Sequence, residues 1–270
     1  RYNAPVEDVN NWPRLVQLAW QTFDARGRLI NATSFIVKPE GFTIPFAARK
    51  IHGISTERAM EEGMELASVL RLFAAALVGT KLVVGHNVDF DLKIVGAEFV
   101  RTGIQSALFE IPSFCTKEGS TDFCAIPGGK EGRFKWPTLA ELHHSLFRED
   151  FKEAHHADAD VAATARCFFE LMRRDIIGSE ALPVTAQMLH EFRQEHPDPI
   201  PTIHARIWPD ENQTTDPKTD DAELSETVAG DAKEQEEISE INTKPGSEPE
   251  TYLNPEPGTE PETVHNLKPL

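Results

Sequence analysis

Cysteine, tyrosine and methionine are scarce in this sequence of 270 residues, which holds three, two and four of them respectively. Cys115 and Cys124 are too far apart for a paired-cysteine zinc knuckle, and no second cysteine pair follows them. Three cysteines in a chain of this length do not make a disulfide framework, and no secretory leader is evident. We therefore expect structural thiols in a protein of the reducing cytoplasm.

Long apolar runs are also lacking. No run approaches the ~20 residues that a membrane-spanning helix needs. The stretch 73–78 is strongly apolar, but its length fits a helix of a protein core. We expect no membrane partner.

Basic residues are few, with 27 of them against 44 acidic residues and a formal net charge of −17. Most of the excess lies in the segment 209–270, which holds 17 of the acidic residues and 4 of the basic ones. The chain before it has a net charge of −4, which does not argue against binding nucleic acid. The segment 209–270 is poor in apolar residues and rich in proline, so we expect a disordered acidic tail.

Short apolar stretches alternate with helical patterns before position 209, which predicts an α/β fold. We expect a domain at 1–180, a helical extension at 181–208 and the tail at 209–270. The patterns predict strands at 15–23, 29–37, 82–84 and 111–116, and helices at 66–77, 91–102, 138–147, 158–174 and 185–195.

Polar residues follow the apolar strand at 82–84, and they include Asn87 and Asp91. Open α/β sheets place their chemistry at such carboxyl ends of strands. Asp91 also begins a helical pattern, where an acid is favoured by the helix dipole. Two interpretations of Asp91 therefore stay open, a helix cap and a ligand in a functional site.

A second cluster, EAHHADAD at 153–160, places two histidines and two aspartates just before a helix. Zinc fits poorly, because the spacing is not H-E-x-x-H and no third ligand is evident. Asp158 also fits a helix cap. His155 can share a site with Asp160 only from the loop before the helix, whereas His156 would share a helical face with Asp160. Carboxylates suit Mg²⁺ or Mn²⁺, and a histidine with a near-neutral pKa can accept a proton from water.

The two clusters together resemble the motifs of a known family. Asn87-x-x-Phe90-Asp91 followed by His155-x-x-x-x-Asp160 is similar to the second and third motifs of the DEDDh 3′→5′ exonucleases. These ribonuclease H-like enzymes include the proofreading epsilon subunit of bacterial DNA polymerase III. The HGIS sequence at 52–55 resembles the family element that precedes a helix beside the active site. The similarity covers about residues 2–174.

The resemblance implies a ribonuclease H-like mixed sheet flanked by helices, with an exonuclease domain at 1–180. Asp91 and Asp160 would be catalytic metal ligands for Mg²⁺ or Mn²⁺, two ions in the intact enzyme, and His155 would be the general base. The expected substrate is the single-stranded 3′ end of DNA, and a DNA polymerase is a candidate partner. The expected substrate-binding residues, for which ordinary packing is the alternative, are His52, Ile54, Asn87 and Phe90.

The family's first motif, Asp-x-Glu at the end of the central first strand, is absent. Residues 1–14 resemble the loop that follows that strand, and Glu7 and Asp8 follow no apolar run that would make them replacements. We expect the first strand to lie before residue 1 and this chain to be a truncated, weakly active or inactive form. The alternatives are an exoribonuclease of the same fold and a non-catalytic module that binds nucleic acid or a polymerase.

A glycine-containing connection at 119–137 interleaves basic and aromatic side chains. Its basic residues are Lys130, Arg133 and Lys135, and its aromatic residues include Phe134 and Trp136. Such a segment can follow a single strand by charge and stacking. A solvated surface loop is the alternative.

Overall fold

The computed structural model describes residues 1–150 and 157–204, apart from the side chain of Glu131. These residues belong to the first of two units, Arg1–Gln213. The predicted acidic tail lies outside the described residues, and so does the segment 151–156. No helix in the described ranges combines the length and the apolar character that a membrane span requires. The predicted domain limits at 180 and 208 stay predictions.

The first two strands form a hairpin, as the turn residues DARGR at 24–28 between them predict. Strands β1 (Gln17–Phe23) and β2 (Leu29–Ile36) pair antiparallel. Their turn is built by the Asp24 carboxylate, which accepts hydrogen bonds from the backbone N–H groups of Arg26 and Arg28. Gly27 has a φ of +76°, which explains why glycine occupies this place in the turn.

The other two strands, β3 (Val83–Gly85) and β4 (Ser113–Cys115), pair in parallel. In the described part of the chain, β1–β2 and β3–β4 are separate two-stranded sheets. β1 and β3 therefore each have a strand neighbour on one side only among these residues. The predicted strands are all present. β1, β2 and β4 are shorter than predicted, and β3 is shifted by one residue.

Nine helices are described in residues 1–150 and 157–204, and all five predicted helices are among them. Four of the five begin and end within one residue of the prediction, and the one predicted at 91–102 begins three residues earlier. Of the other four, only the short helix after Ser55 is expected from the sequence, because Ser55 or Thr56 can cap a helix there. The nine helices are α1 (Phe46–His52), α2 (Thr56–Glu62), α3 (Leu66–Leu77), α4 (Val88–Thr102), α5 (Thr116–Gly119), α6 (Thr121–Cys124), α7 (Leu139–Phe147), α8 (Ala157–Arg173) and α9 (Ala186–Glu195), with a 3₁₀ turn at Lys130–Gly132.

The sequence TLAE at 138–141 predicts a capping box. Helix α7 begins with this box, in which Thr138 and Glu141 each accept the other's backbone N–H.

Two apolar clusters form most of the core. One joins the hairpin to α3 and α4 through Trp20, whose ring packs against Phe35 and Phe73. The other joins α7, α8 and α9 around Leu142, Leu171 and further side chains of these helices. Helix α8 contacts both β1 and β3, so it connects the two strand pairs.

The sequence pattern at 158–174 predicts an inward face of α8 made by Val161, Ala165, Phe168 and Met172, and this prediction is only partly correct. Phe168 and Met172 are buried, but Val161 and Ala165 are half-buried. Buried positions occur around most of the helix, because α8 packs against α7, α9 and the strands on several sides. A helix surrounded in this way does not show the single apolar stripe on which the prediction depended.

A buried glutamate fastens the N-terminal segment to α4. Glu98 is fully buried, and its Oε1 accepts hydrogen bonds from Arg14 Nε at 3.0 Å and from the backbone N–H of Leu15 at 2.9 Å. Arg101 Nη1 lies 3.0 Å from the same oxygen. This carboxylate balances two guanidinium groups and holds the chain just before β1.

Candidate active site

Helix α4 begins directly after β3 and carries the first predicted cluster. Its N-cap is Asn87, with a left-handed backbone φ of 79°, and Asp91 lies in the first turn. The interpretation of Asp91 as the helix cap is therefore wrong. Asparagine tolerates the left-handed conformation better than most residues, which lets the chain turn sharply from the strand into the helix. Asp91 is left available for another role.

Asp91 and Asp160 are brought together from distant parts of the sequence. Asp91 lies in the first turn of α4, and Asp160 lies in the first turn of α8. Burial, and after it the negative charge of Asp160, raises the pKa of Asp91 to about 6. The two carboxylates must lie near each other for one charge to act on the other in this way.

Asp91 is exposed to solvent and is also surrounded by protein. Its surface is exposed to water, yet the surrounding protein is dense enough for desolvation to be the largest cause of the raised pKa. Two such carboxylates repel each other, and a divalent cation that prefers oxygen ligands would relieve the repulsion. The donor set therefore fits a divalent cation that prefers oxygen ligands.

The third predicted member of the site, His155, and its rival His156 lie outside the described residues. In the ranges 1–150 and 157–204, no group of three or more histidine, cysteine, aspartate or glutamate side chains is placed to hold a metal ion. The described part of the site is thus the pair Asp91 and Asp160. The roles assigned to them and to His155 stay predictions.

Asn87 is connected to two residues that the sequence patterns did not single out. Its Oδ1 accepts a hydrogen bond from Lys117 Nζ at 2.6 Å and one from the Tyr2 hydroxyl at 3.3 Å. The same Lys117 ammonium group lies 4.2 Å from the centre of the Trp136 ring. Lys117 therefore joins the start of α4 to the basic and aromatic connection before α7. Local spacing contains no signal for these contacts, because they join separate segments.

Phe90 packs beside the site. Its ring is stacked on that of Tyr2, with centres 6.1 Å apart and planes 5° from parallel. The half-buried Phe90 also packs against a small cluster of Ala4, Trp12 and Ala97. These contacts favour the packing interpretation, and a contact between Phe90 and substrate stays a prediction.

The HGIS element lies at the end of α1. Ile54 is only 2% exposed and packs with Ile44 and Ala59, so its side chain is a core side chain in this arrangement. His52 Nδ1 accepts a hydrogen bond from the Ile54 backbone N–H at 3.1 Å. Burial lowers the pKa of His52, which favours the neutral ring. Substrate contacts by His52 and Ile54 stay predictions.

His86 fixes the surroundings of the site. Its Nδ1 lies 3.0 Å from Thr116 Oγ1, and its Nε2 lies 3.1 Å from the Pro137 carbonyl oxygen. Burial lowers the pKa of His86 and favours its neutral form. One imidazole thereby ties the end of β3 to the beginnings of α5 and α7.

The chain matches a known protein family. A model described as "Exonuclease" (RNase T) matches residues 8–168, which is more than half of the chain. This match contains both predicted motif clusters. No curated protein sequence matches the chain significantly.

Solved structures of E. coli exonuclease I are similar to the chain. The complex with a dT13 oligonucleotide has 20% sequence identity and a TM-score of 0.51, with 64% of this chain and 39% of that chain covered. A zinc-bound complex with single-stranded DNA has 22% identity and a TM-score of 0.49, covering 60% and 37%. A complex with a dA16 oligonucleotide has 19% identity and a TM-score of 0.47, covering 65% and 38%.

The first of these structures confirms the predicted ribonuclease H-like α/β fold. The chain spans about two-fifths of the length of each exonuclease I structure that it matches.

Proposed function

The chain belongs to the exonuclease family of the DEDDh type, and from this membership we propose that it acts as a metal-dependent 3′→5′ exonuclease on single-stranded DNA. The observation that carries the proposal is the proximity of Asp91 and Asp160. These acids come from the second and third family motifs, and their charges interact in the folded chain. An exoribonuclease of the same fold is the neighbouring candidate.

Asp91 and Asp160 would hold the divalent cation, and they fit it because both offer carboxylate oxygens. A bound cation supplies Lewis-acid polarisation and neutralises the charge that develops during phosphodiester hydrolysis. His155 would accept the proton of the attacking water at an imidazole nitrogen. Replacement of a general base of this kind costs ~10²–10⁴-fold in rate.

Asn87 would act beside these residues by holding the turn that presents Asp91. Its left-handed backbone and its bond from Lys117 support a structural part in preference to direct recognition. Phe90, with its stacking on Tyr2, would support the floor of the same region.

A further strand would complete the arrangement. Within the described residues, β1 and β3 each pair on one side only, although both pack on α8. We expect an additional strand that carries Asp-x-Glu to fit between them and to bring its acids toward Asp91 and Asp160. The chain of 270 residues would then be weakly active or inactive without it.

The test is hydrolysis of a 5′-labelled single-stranded oligodeoxynucleotide in Mg²⁺ or Mn²⁺, read as a ladder on a denaturing gel. We expect shortening from the 3′ end, weak for this chain and stronger after fusion of an upstream apolar strand ending in Asp-x-Glu. Asp91→Asn and Asp160→Asn should abolish the ladder. Asp89→Asn is the matched control, because Asp89 lies in the same helical turn, is exposed and pairs with Lys93.

Two results would contradict the proposal in different ways. Strong 3′→5′ degradation by the chain without the added strand, lost in Asp91→Asn, would refute the need for that strand. No degradation by the strand-fused chain on DNA or RNA, under any divalent cation, would refute the exonuclease proposal. That result would favour the alternative function, a non-catalytic module that binds nucleic acid or a polymerase.

The compartment and the partner are also proposals. Three free cysteines, one of them buried, support a reducing compartment such as the cytoplasm. A DNA polymerase stays a candidate partner on the strength of the family resemblance alone.

A further inference from the structure

We propose that Trp136 and Lys117 form a subsite for one base and one phosphate of a single-stranded nucleic acid, beside the acidic pair. The proposal rests on the proposed function, because it assigns to that site a place where its substrate is held. It concerns binding, however, and can be tested without hydrolysis.

Trp136 presents an unusually accessible aromatic face. Its side chain is 59% exposed, although tryptophan is among the residues that bury most surface on average. It directly precedes Pro137, whose burial and hydrogen bond from His86 hold the backbone at this point. The exposed ring is therefore carried by a fixed segment.

Lys117 contacts the Trp136 ring and places a positive charge next to it. Its ammonium group lies 4.2 Å from the ring centre and donates a 2.6 Å hydrogen bond to Asn87 Oδ1. One face of the ring is thereby engaged by the cation, which leaves the other face for a flat ligand. The half-buried stem of Lys117 limits the positions that the charge can adopt.

The pair lies next to the acids through Asn87. Asn87 is the N-cap of α4, and Asp91 lies in the first turn of the same helix. A path of direct contacts thus leads from Trp136 through Lys117 to Asn87, one helical turn from Asp91. A strand whose end reaches Asp91 and Asp160 would have its neighbouring nucleotides near Lys117 and Trp136.

The chemistry favours a single-stranded nucleic acid as the occupant. Unpaired bases offer their π-faces to aromatic side chains, and phosphates pair with ammonium groups, whereas a duplex hides its base faces. The segment 126–136 contains three basic residues and one acid, in a chain that is acidic as a whole. Lys135 is engaged by Glu141 at 2.7 Å and is left out of the subsite.

The test measures binding of a 5′-fluorescein-labelled oligothymidylate to the full chain in EDTA, where hydrolysis does not interfere. Trp136→Ala should weaken binding about 5- to 150-fold, the range for loss of one stacked base, while Trp136→Phe should keep most of the affinity. Phe109→Ala is the matched control, because Phe109 is also 59% exposed but lies in a different segment. It should bind like the wild type.

Lys117→Met should produce a different signature. It keeps the apolar stem and removes the charge, so the slope of log affinity against log salt should become shallower by about 0.7, the value for one phosphate of a single strand. Trp136→Ala should leave that slope unchanged. Oligothymidylate should also quench tryptophan fluorescence, and Trp136→Phe should remove the quenching, whereas a structural role alone would leave it in place.

Each outcome decides the proposal. Weaker binding of oligothymidylate, oligouridylate or both by Trp136→Ala supports the subsite. The oligonucleotide whose binding is weakened shows whether the subsite takes DNA, RNA or both. Wild-type affinity in Trp136→Ala, an equal loss in Phe109→Ala, an equal loss with a blunt duplex, or no measurable binding by the wild type would overturn it. If Trp136→Ala keeps both hydrolysis and wild-type binding, the subsite is contradicted and the proposed function is not. Loss of binding in Trp136→Ala, together with no hydrolysis by the strand-fused wild type, would keep the subsite and contradict the proposed function.

Discussion

Asp160, in the first turn of α8, lies close enough to Asp91, in the first turn of α4, for its charge to act on the Asp91 carboxyl group. Burial and this charge together raise the pKa of Asp91 to about 6. The folded chain therefore holds two carboxylates that repel each other when no cation lies between them. Strain of this kind is expected where acids are kept for function and not for stability.

Replacement of Asp91 by asparagine should stabilise the metal-free chain at pH 8. The pKa of Asp91 is raised in the folded state from 3.8 to about 6, so the group costs stability as the pH rises through this window. The full shift corresponds to about 3 kcal/mol, and solvent screening of the exposed carboxylate reduces the expected gain to about 1 kcal/mol. Urea unfolding in EDTA at pH 8 and at pH 4.5 measures it.

At pH 4.5 the gain should largely disappear, because Asp91 is then mostly protonated in the folded chain. Asp89→Asn is the control and should change the free energy of unfolding little at either pH, since Asp89 is exposed. A loss of stability in Asp91→Asn at pH 8 would contradict the account of two acids that repel each other.

Substitutions of Asn87 should separate its backbone role from its side-chain role. The left-handed φ of 79° disfavours alanine by about 1–2 kcal/mol but suits glycine. We expect Asn87→Ala to unfold at lower urea concentration than Asn87→Gly. Both variants lose the bond from Lys117, so a difference between them reports the backbone alone.

Equal stability of the glycine and alanine variants of Asn87 would show that the backbone conformation does not limit the choice of residue. Hydrolysis by the strand-fused chain then gives the second readout. Retained hydrolysis in Asn87→Gly is the expected result if Asn87 mainly shapes the turn.

Glu98→Gln should be among the most destabilising single changes in the N-terminal half. It removes a fully buried charge that balances Arg14 and Arg101, and loss of one partner from such a cluster costs about 3 kcal/mol. Glu62→Gln is the control, because Glu62 pairs with Arg58 at an exposed position and such pairs contribute ~0–1 kcal/mol. Unfolding by urea compares them, and similar losses in the two variants would disprove a structural role for the Glu98 cluster.

The local elements of the fold could be predicted from the sequence because their determinants are local. The turn at Asp24 and Gly27, the cap at Ser55 and the capping box at Thr138 each act within a few residues. Helix α8 was predicted less well, since its buried positions depend on which neighbours surround it. The two separate strand pairs also depend on contacts that no local pattern contains.

The candidate site was predictable in part for the same reason. Asp91 and Asp160 stood out because each follows a recognisable pattern, but the capping interpretation of Asp91 was wrong because the left-handed turn at Asn87 starts the helix earlier. Lys117 was not singled out, since its contacts with Asn87 and Trp136 join three separate segments. Such contacts become visible only when the chain is folded.

Calorimetric titration of the full chain with Mn²⁺ tests the central claim most directly, since it asks whether Asp91 and Asp160 act together on one cation. We predict saturable binding to the wild type and to Asp89→Asn, with loss of binding in both Asp91→Asn and Asp160→Asn. Wild-type binding in either of the last two variants, or no saturable binding by the wild type, would contradict the claim.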